Sequence, residues 1–317
     1  MKILMFGWEF SPSISGGLGT ACRGLTEGLL EAGAEIVFVV PGTTEPVHMS
    51  GFVMIDASVL PSEPEKNFSD NEVAGRLPER LPGMVLSPYM TAGFTGEVLS
   101  DEDCLADADY PYGPDLYERI SSYARRARTI ARDKDFQVIA VHDWMAIPAG
   151  MEARDVSGRP LVVHIHSLES DRSPFRVNEY IYGIERFGML EADHVITVSN
   201  FTRKKIVDQY GIPAEKISVI HNAVLPSSPE PMPDGSTSRK PGKAVLFLGR
   251  VTRQKGPDFF VDAAVKVLNH DRSVRFIVAG SGDMLPETKH QAAAEGVADR
   301  FEFTGFLKGS DVSRVFA

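Results

Sequence analysis

Short apolar runs alternate along the chain with longer segments whose apolar residues recur every three or four positions. That pattern predicts strands alternating with helices, and so an α/β fold built on parallel sheets. Ile3–Phe6 reads as the first strand. After a loop through Gly16 and Gly17, a helix would bury Ala21, Leu25 and Leu29 and stop at Gly33, a residue type that caps helices. Ile36–Val40 is the second strand, ended by Pro41-Gly42. Residues 43–110 are less regular and rich in Pro, Gly, Asp and Glu, and are expected to decorate the sheet with strands and long loops. A helical pattern returns over Asp115–Arg132, with Ile120, Tyr123, Ala127 and Ile130 on one face. β-like runs follow at Val138–Val141, Leu161–Ile165, His194–Val198 and Ile217–Ile220, completing one doubly wound domain over 1–225.

Residues 226–243 carry five prolines among Ser, Gly, Asp and Thr and read as an interdomain linker. A second α/β unit over 244–317 has strands at Ala244–Leu248, Val274–Ala279 and Phe301–Thr304, with helices at Pro257–Leu268 and near Leu285–Glu295. The last residues, Val315–Ala317, read as the start of another helix. Three strands make about half of a doubly wound domain, so this second domain is expected to be incomplete at Ala317.

Composition narrows the function. A length of 317 residues suits two domains, and 43% hydrophobic residues supply their cores. The 33 basic and 43 acidic groups leave a net charge of -10, which disfavours general binding to nucleic acid or anionic membrane. Cys22 and Cys104 show no metal-type spacing and read as reduced thiols of a cytoplasmic protein. The apolar start, Met1–Phe6, is too short for a signal segment, and no run reaches the length of a membrane span.

The most informative stretch is Gly249-Arg250-Val251-Thr252-Arg253-Gln254-Lys255-Gly256. It follows a strand, and so lies at the edge where open α/β sheets bind ligands. Arg250 can give a bidentate fork to a phosphate and Lys255 a mobile point charge. Gly256 permits close backbone approach, and Pro257 opens a helix whose N-terminus adds partial positive charge. Together they suit a diphosphate. No Gly-Lys-Ser/Thr turn marks a Walker A loop. Gly17-Leu18-Gly19 lacks the third glycine of a dinucleotide fingerprint, and no acid ends the second strand, so the sequence disfavours NAD. Gly16, Gly17 and Gly19 read as a loop offering amides to a phosphate or sugar, with a plain turn as the equal alternative.

His166 falls at the end of the strand Leu161–Ile165, where a neutral imidazole can hydrogen-bond a sugar; His164, on the same face, reads as a satisfied core residue. His142-Asp143-Trp144 also ends a strand and reads as structural. Gly280-Ser281-Gly282 and Gly305-Phe306 place small residues or bare backbone at two further strand ends.

Ser15-Gly16-Gly17-Leu18-Gly19, His142-Asp143-Trp144, Thr197-Val198-Ser199-Asn200 and Gly249-Arg250 through Lys255-Gly256 together resemble the retaining glycosyltransferases of families 4 and 5, the glycogen synthases among them. The resemblance runs over the whole chain, and the Arg250/Lys255 spacing is its most specific part. It implies the GT-B architecture of two Rossmann-like domains facing across a cleft, a UDP- or ADP-glucose donor, a glycan or small-molecule acceptor, and no metal. It further implies that Arg250 and Lys255 neutralise the leaving diphosphate, that His166 lies near the donor sugar, and that Gly16 and Gly17 cover the diphosphate. Gly280 and Asn200 would bind donor, Asn222 would line the cleft, and the backbone around Phe306 would hold the base. Ser15 stands where glycogen synthases carry lysine. The family's paired glutamates would lie beyond Ala317, so the 317-residue chain alone is expected to be inactive. The competing readings are a sugar-nucleotide epimerase on the same fold and a non-catalytic binding fragment.

Overall fold

Strand β1 (Lys2–Phe6) is apolar at every position after Lys2 and buried on both faces, as a parallel strand covered by helices on each side must be. The computed structural model describes residues 1–11, 16–42, 47–61, 115–173, 177–223, 242–307 and 310–316. Within the first sheet β1 is joined by β2 (Glu35–Val40), β3 (Phe52–Asp56), β4 (Val138–His142), β5 (Leu161–Ile165), β6 (His194–Thr197) and β7 (Ile217–Val219). The spatial order is β3-β2-β1-β4-β5-β6-β7 and every pairing is parallel. The order reverses between β1 and β4. That reversal opens a crevice beyond the carboxyl ends of these two strands, where doubly wound sheets bind ligands.

The expected strands form, and β3 adds one that the sequence pattern did not single out. It is short, ends in an acid and exposes Val53, so its alternation is weak. The helix α1 (Gly17–Glu31) is turned from its expected face: its buried line is Gly19, Cys22 and Thr26, one position on from Ala21 and Leu25. Leu25 and Leu29 are half-buried and flank the cluster of Met5, Phe10, Cys22 and Phe38. A spacing of four picked one margin of a wider apolar stripe. The helix stops as expected, with Gly33 at φ 84 just past its cap.

Helix α2 (Leu116–Asp133) buries Ile120, Tyr123, Ala127 and Ile130 together, the face its sequence predicts. Tyr123 is fully enclosed; its hydroxyl donates to the Val39 carbonyl at 2.7 Å and lies 3.1 Å from that of Gly7. A polar group so placed fastens α2 to the ends of β1 and β2. The remaining helices of this unit are α3 (Ile147–Ser157), α4 (Glu169–Arg172), α5 (Glu179–Glu191) and α6 (Asn200–Tyr210).

A second compact unit holds β8 (Ala244–Leu248), α7 (Pro257–Leu268), β9 (Arg275–Ala279), α8 (Leu285–Ala294), β10 (Phe301–Gly305) and α9 (Ser310–Phe316). Its strands are parallel in the order β10-β9-β8. Val261, Ala264 and Leu268 of α7 pack with Phe276 and Ala292 to form its core. The expected linker falls almost wholly within 224–241, outside the described residues.

Tyr123→Phe keeps the ring and removes the donor, leaving the Val39 carbonyl to the Gly7 amide alone. Urea unfolding should show a loss of about 1 kcal/mol, the usual contribution of one buried hydrogen bond.

Candidate active site

The carboxyl edge of the first sheet begins at Phe6, where the chain runs through Gly7 and Trp8 to Glu9, a fully buried acid. A Glu9 carboxyl oxygen accepts from the Gly19 amide at 3.3 Å, in the first turn of α1. Gly16, the N-cap of that helix, lies over the same carboxyl: a Cβ there would come within 2.1 Å of its oxygen. Gly16 is therefore fixed by close approach, whereas Gly17 faces open space and is exposed. Ser15 lies outside the described residues.

Across the switch point, β4 ends in His142-Asp143-Trp144. Asp143 adopts φ 59, and among the described residues it alone is a non-glycine with positive φ. Its amide donates to the His164 carbonyl, while its carboxyl accepts from the His166 amide at 2.7 Å and, at 3.4 Å, from that of Ser167. The structural role expected for this triplet is thus specific: it holds the backbone of the turn that carries His166. Burial raises the Asp143 carboxyl to about 6, opposed by the nearby Arg172 guanidinium.

His166 is half-buried and meets His142, their Nε2 and Nδ1 atoms 3.0 Å apart. The His164 and His166 rings stack at 4.2 Å. Burial holds His164 down at about 3 and His166 at about 4, and His142 lies well below its ordinary value for the same reason, with the other two imidazoles adding to it. All three are neutral at neutral pH. His164 is a core residue, as expected, but not a satisfied one: its Nε2 is buried without a hydrogen-bond partner among the described residues. Its ring neighbours are His142, tilted at 5.3 Å, and His166, stacked at 4.2 Å.

Behind the His166 turn, Arg172 is buried and donates to the Ser167 carbonyl and hydroxyl. Its other nitrogens pair with Glu185 at 2.6 Å and Glu169 at 3.3 Å. Tyr210 donates to Glu185 at 2.5 Å. Burial raises Glu185 to about 7, with Arg172 pulling the other way. The His166 turn is therefore gripped from two sides. Asn200 opens α6 at the end of β6, exposed, behind the Ser199 cap; Asn222 is exposed past β7, next to His221, which bonds the Val198 carbonyl.

In the second unit the turns after β8, β9 and β10 are laced by backbone hydrogen bonds. Gly249 donates to Ala279, Val251 to Ser281, Met284 to Val251, and Gly280 to Gly305. A Cβ on Gly280 would sit 1.8 Å from the Gly249 carbonyl oxygen, so no larger residue fits. This lacing brings Arg250, Gly280 and the exposed Phe306 to one edge. Arg250 is half-buried; Lys255 is exposed at the end of the turn Arg253–Lys255. Gly256, at φ 65, caps that turn and leads into α7 with Pro257 in its first turn. Gly16, Gly17, His166 and Asn200 thus share the edge of the first sheet, and Arg250, Lys255, Gly280 and Phe306 that of the second.

Residues 94–227 match the family profile described as Glycosyltransferase Family 4, and residues 242–317 that described as Glycosyl transferases group 1. The chain is a glycosyltransferase with the GT-B type of fold. Among its curated relatives, an uncharacterised glycosyltransferase of Methanocaldococcus jannaschii is 26% identical over 100% of this chain and 72% of its own length. The glycogen synthase of Mycobacterium tuberculosis is 23% identical over 98% of this chain and 69% of its own. Among solved structures, sucrose-phosphate synthase of Thermosynechococcus elongatus superposes with a TM-score of 0.65 at 14% identity, covering 100% of this chain and 73% of that one. HepE of Anabaena, in complex with UDP-glucose, gives 0.59 at 16% identity, covering 99% and 71%.

In this transferase three features escaped sequence reasoning. Glu9 lies three residues past β1, on the ligand edge, and that position was its one signal. The Asp143 clamp needed a positive φ that nothing in His142-Asp143-Trp144 announces. The Arg172 network joins residues 13 and 25 positions from Glu185, beyond any local pattern.

The buried imidazoles make a signed prediction. Unfolded, His164 takes a proton below about 6.5; folded, only below about 3. Between these values the unfolded chain holds the extra proton, so the stability it contributes is full above 6.5 and lost as pH falls. His142 and His166 act alike, while Asp143 and Glu185, raised by burial, act oppositely. His164→Gln should therefore flatten the rise of unfolding free energy with pH near 5 by about 1.4 kcal/mol per pH unit, read from urea melts across pH.

Proposed function

We propose that the transferase moves a hexosyl group, glucose by preference, from a UDP- or ADP-sugar to a hydroxyl of a glycan or small acceptor, with retention at the anomeric carbon. Arg250 carries the reading. It stands on a rigid backbone turn that leads, past Lys255 and Gly256, into the N-terminus of α7. As the bond from the sugar to the diphosphate breaks, its electron pair passes to the departing oxygen. A guanidinium, an ammonium and a helix N-terminus stabilise the charge that develops there. His166, neutral and held by Asp143, supplies a hydrogen bond to the donor sugar. Gly17 lets backbone approach the ligand, and the turn at Gly305-Phe306 receives the base. The likeness to HepE, whose structure is a complex with UDP-glucose, supports a nucleotide-glucose donor. Among the described residues no helix is long and apolar enough to cross a membrane. A cytoplasmic location, where nucleotide sugars are made, completes the proposal.

The test uses the protein as its gene encodes it, with labelled UDP- and ADP-glucose, with and without acceptor glycans. Sugar should pass to acceptor with the donor's anomeric configuration, read by NMR of the product. Arg250→Ala should slow turnover by roughly ten- to a few-hundred-fold, the equivalent of one lost charge-assisted contact. A near-normal rate in that variant, or conversion of donor without acceptor as an epimerase would do, refutes the reading.

A further inference from the structure

Three elements far apart in sequence deliver soft or borderline metal ligands to one buried spot. Cys22 comes from the second turn of α1, His142 from the end of β4, and His166 from just past β5. Cys22 and His142 are almost wholly buried and His166 half-buried. One ligand atom from each lies within 4.8 Å of the others. Around a tetrahedral zinc ion, neighbouring nitrogen and sulfur ligands stand about 3.3–3.6 Å apart. The His142 and His166 nitrogens, at 3.0 Å, are already close to that spacing. We propose that Cys22, His142 and His166 form a site for a zinc-class divalent cation, and that its occupancy restrains sugar transfer.

The alternative is a hydrogen-bonded histidine pair in an ordinary core. That leaves the Cys22 thiol without a part, whereas the three-ligand grouping uses it together with both facing nitrogens. His142 Nε2, His164 Nε2 and His166 Nδ1, which lie outside that pair, are buried without a hydrogen-bond partner among the described residues in either reading. The cluster holds more ring nitrogens than partners, and the rings are neutral, the form that coordinates. One sulfur and two imidazoles suit zinc, cobalt or copper rather than magnesium or calcium, which take oxygen ligands. On binding, the Cys22 thiol gives its proton to solvent, so affinity rises with pH.

The restraint on transfer rests on the function proposed above. A cation on His166 takes the lone pair and fixes the ring meant for the donor sugar, and it ties α1 to the ends of β4 and β5.

The experiment titrates metal-free protein with Co²⁺. One equivalent should bring up thiolate-to-cobalt charge-transfer absorption, which Zn²⁺ abolishes and Mg²⁺ leaves unchanged. Cys22→Ala should lose the band and Cys104→Ala should keep it. Cys22→Ser, closer in size, replaces the alanine variant if a thermal melt shows the latter unfolded. Absence of the band in the parent protein, its persistence without Cys22, or equal competition by Mg²⁺ overturns the site. Transfer is measured separately: Zn²⁺ should depress it at least tenfold in the parent and leave the Cys22 variant unaffected. A Cys22-dependent band with undiminished transfer overturns the restraint alone.

Discussion

The first unit turns on one buried contact, the Asp143 carboxyl accepting the His166 amide. Asp143 holds a left-handed backbone that costs an ordinary residue about 1–2 kcal/mol. It persists because two amides and a main-chain bond to β5 over-determine it. Placing an acid there creates a second problem, since burial disfavours its charge. Arg172 lies near enough to oppose that effect, and Arg172 in turn meets Glu169 and Glu185. One guanidinium cannot balance three buried carboxylates. Raising Glu185 to about 7 and Asp143 to about 6 eases the excess negative charge.

The second unit solves a different problem by different means. Its strand ends carry bare backbone rather than paired side chains, and adjacent turns hydrogen-bond directly to one another. The contact of Gly280 with the Gly249 carbonyl shows how little space separates them. Such an edge stays rigid without burying charge. In the function proposed above, Arg250 would act from such a fixed base, as electrostatic stabilisation without reorganisation requires.

Much of this was legible in the residues. Strands β1, β2 and β4 to β10 were visible as short apolar-rich runs between helical segments; in β1 the run is unbroken because a parallel strand covered on both faces is buried throughout. The turn at Gly256-Pro257 was visible because left-handed glycine and first-turn proline are local signals. The rotation of α1 was not. Its stripe is wide enough that Ala21, Leu25 and Leu29 compete with Cys22 and Thr26, and only packing against Phe38 and Phe10 selects between them. Glu9, the Asp143 clamp and the meeting of Cys22 with His142 and His166 depend on crossings between distant segments. No spacing along the chain encodes them.

The place of Glu9 bears on how a diphosphate can be held. Sequence alone leaves the glycine loop either a donor of amides to a phosphate or sugar or a plain turn. The structure gives the Gly19 amide to Glu9 and sets Gly16 against the same carboxyl. Acceptors therefore already occupy the inner side of the loop, and an incoming phosphate oxygen would add acceptors where a donor is spent. Gly17 remains open, so the loop can cover a ligand, but it contributes less to neutralising one. In the reading proposed here, the burden of the leaving group's charge falls on Arg250, Lys255 and the start of α7. The substitution of a single guanidinium then bears most directly on the chemical step.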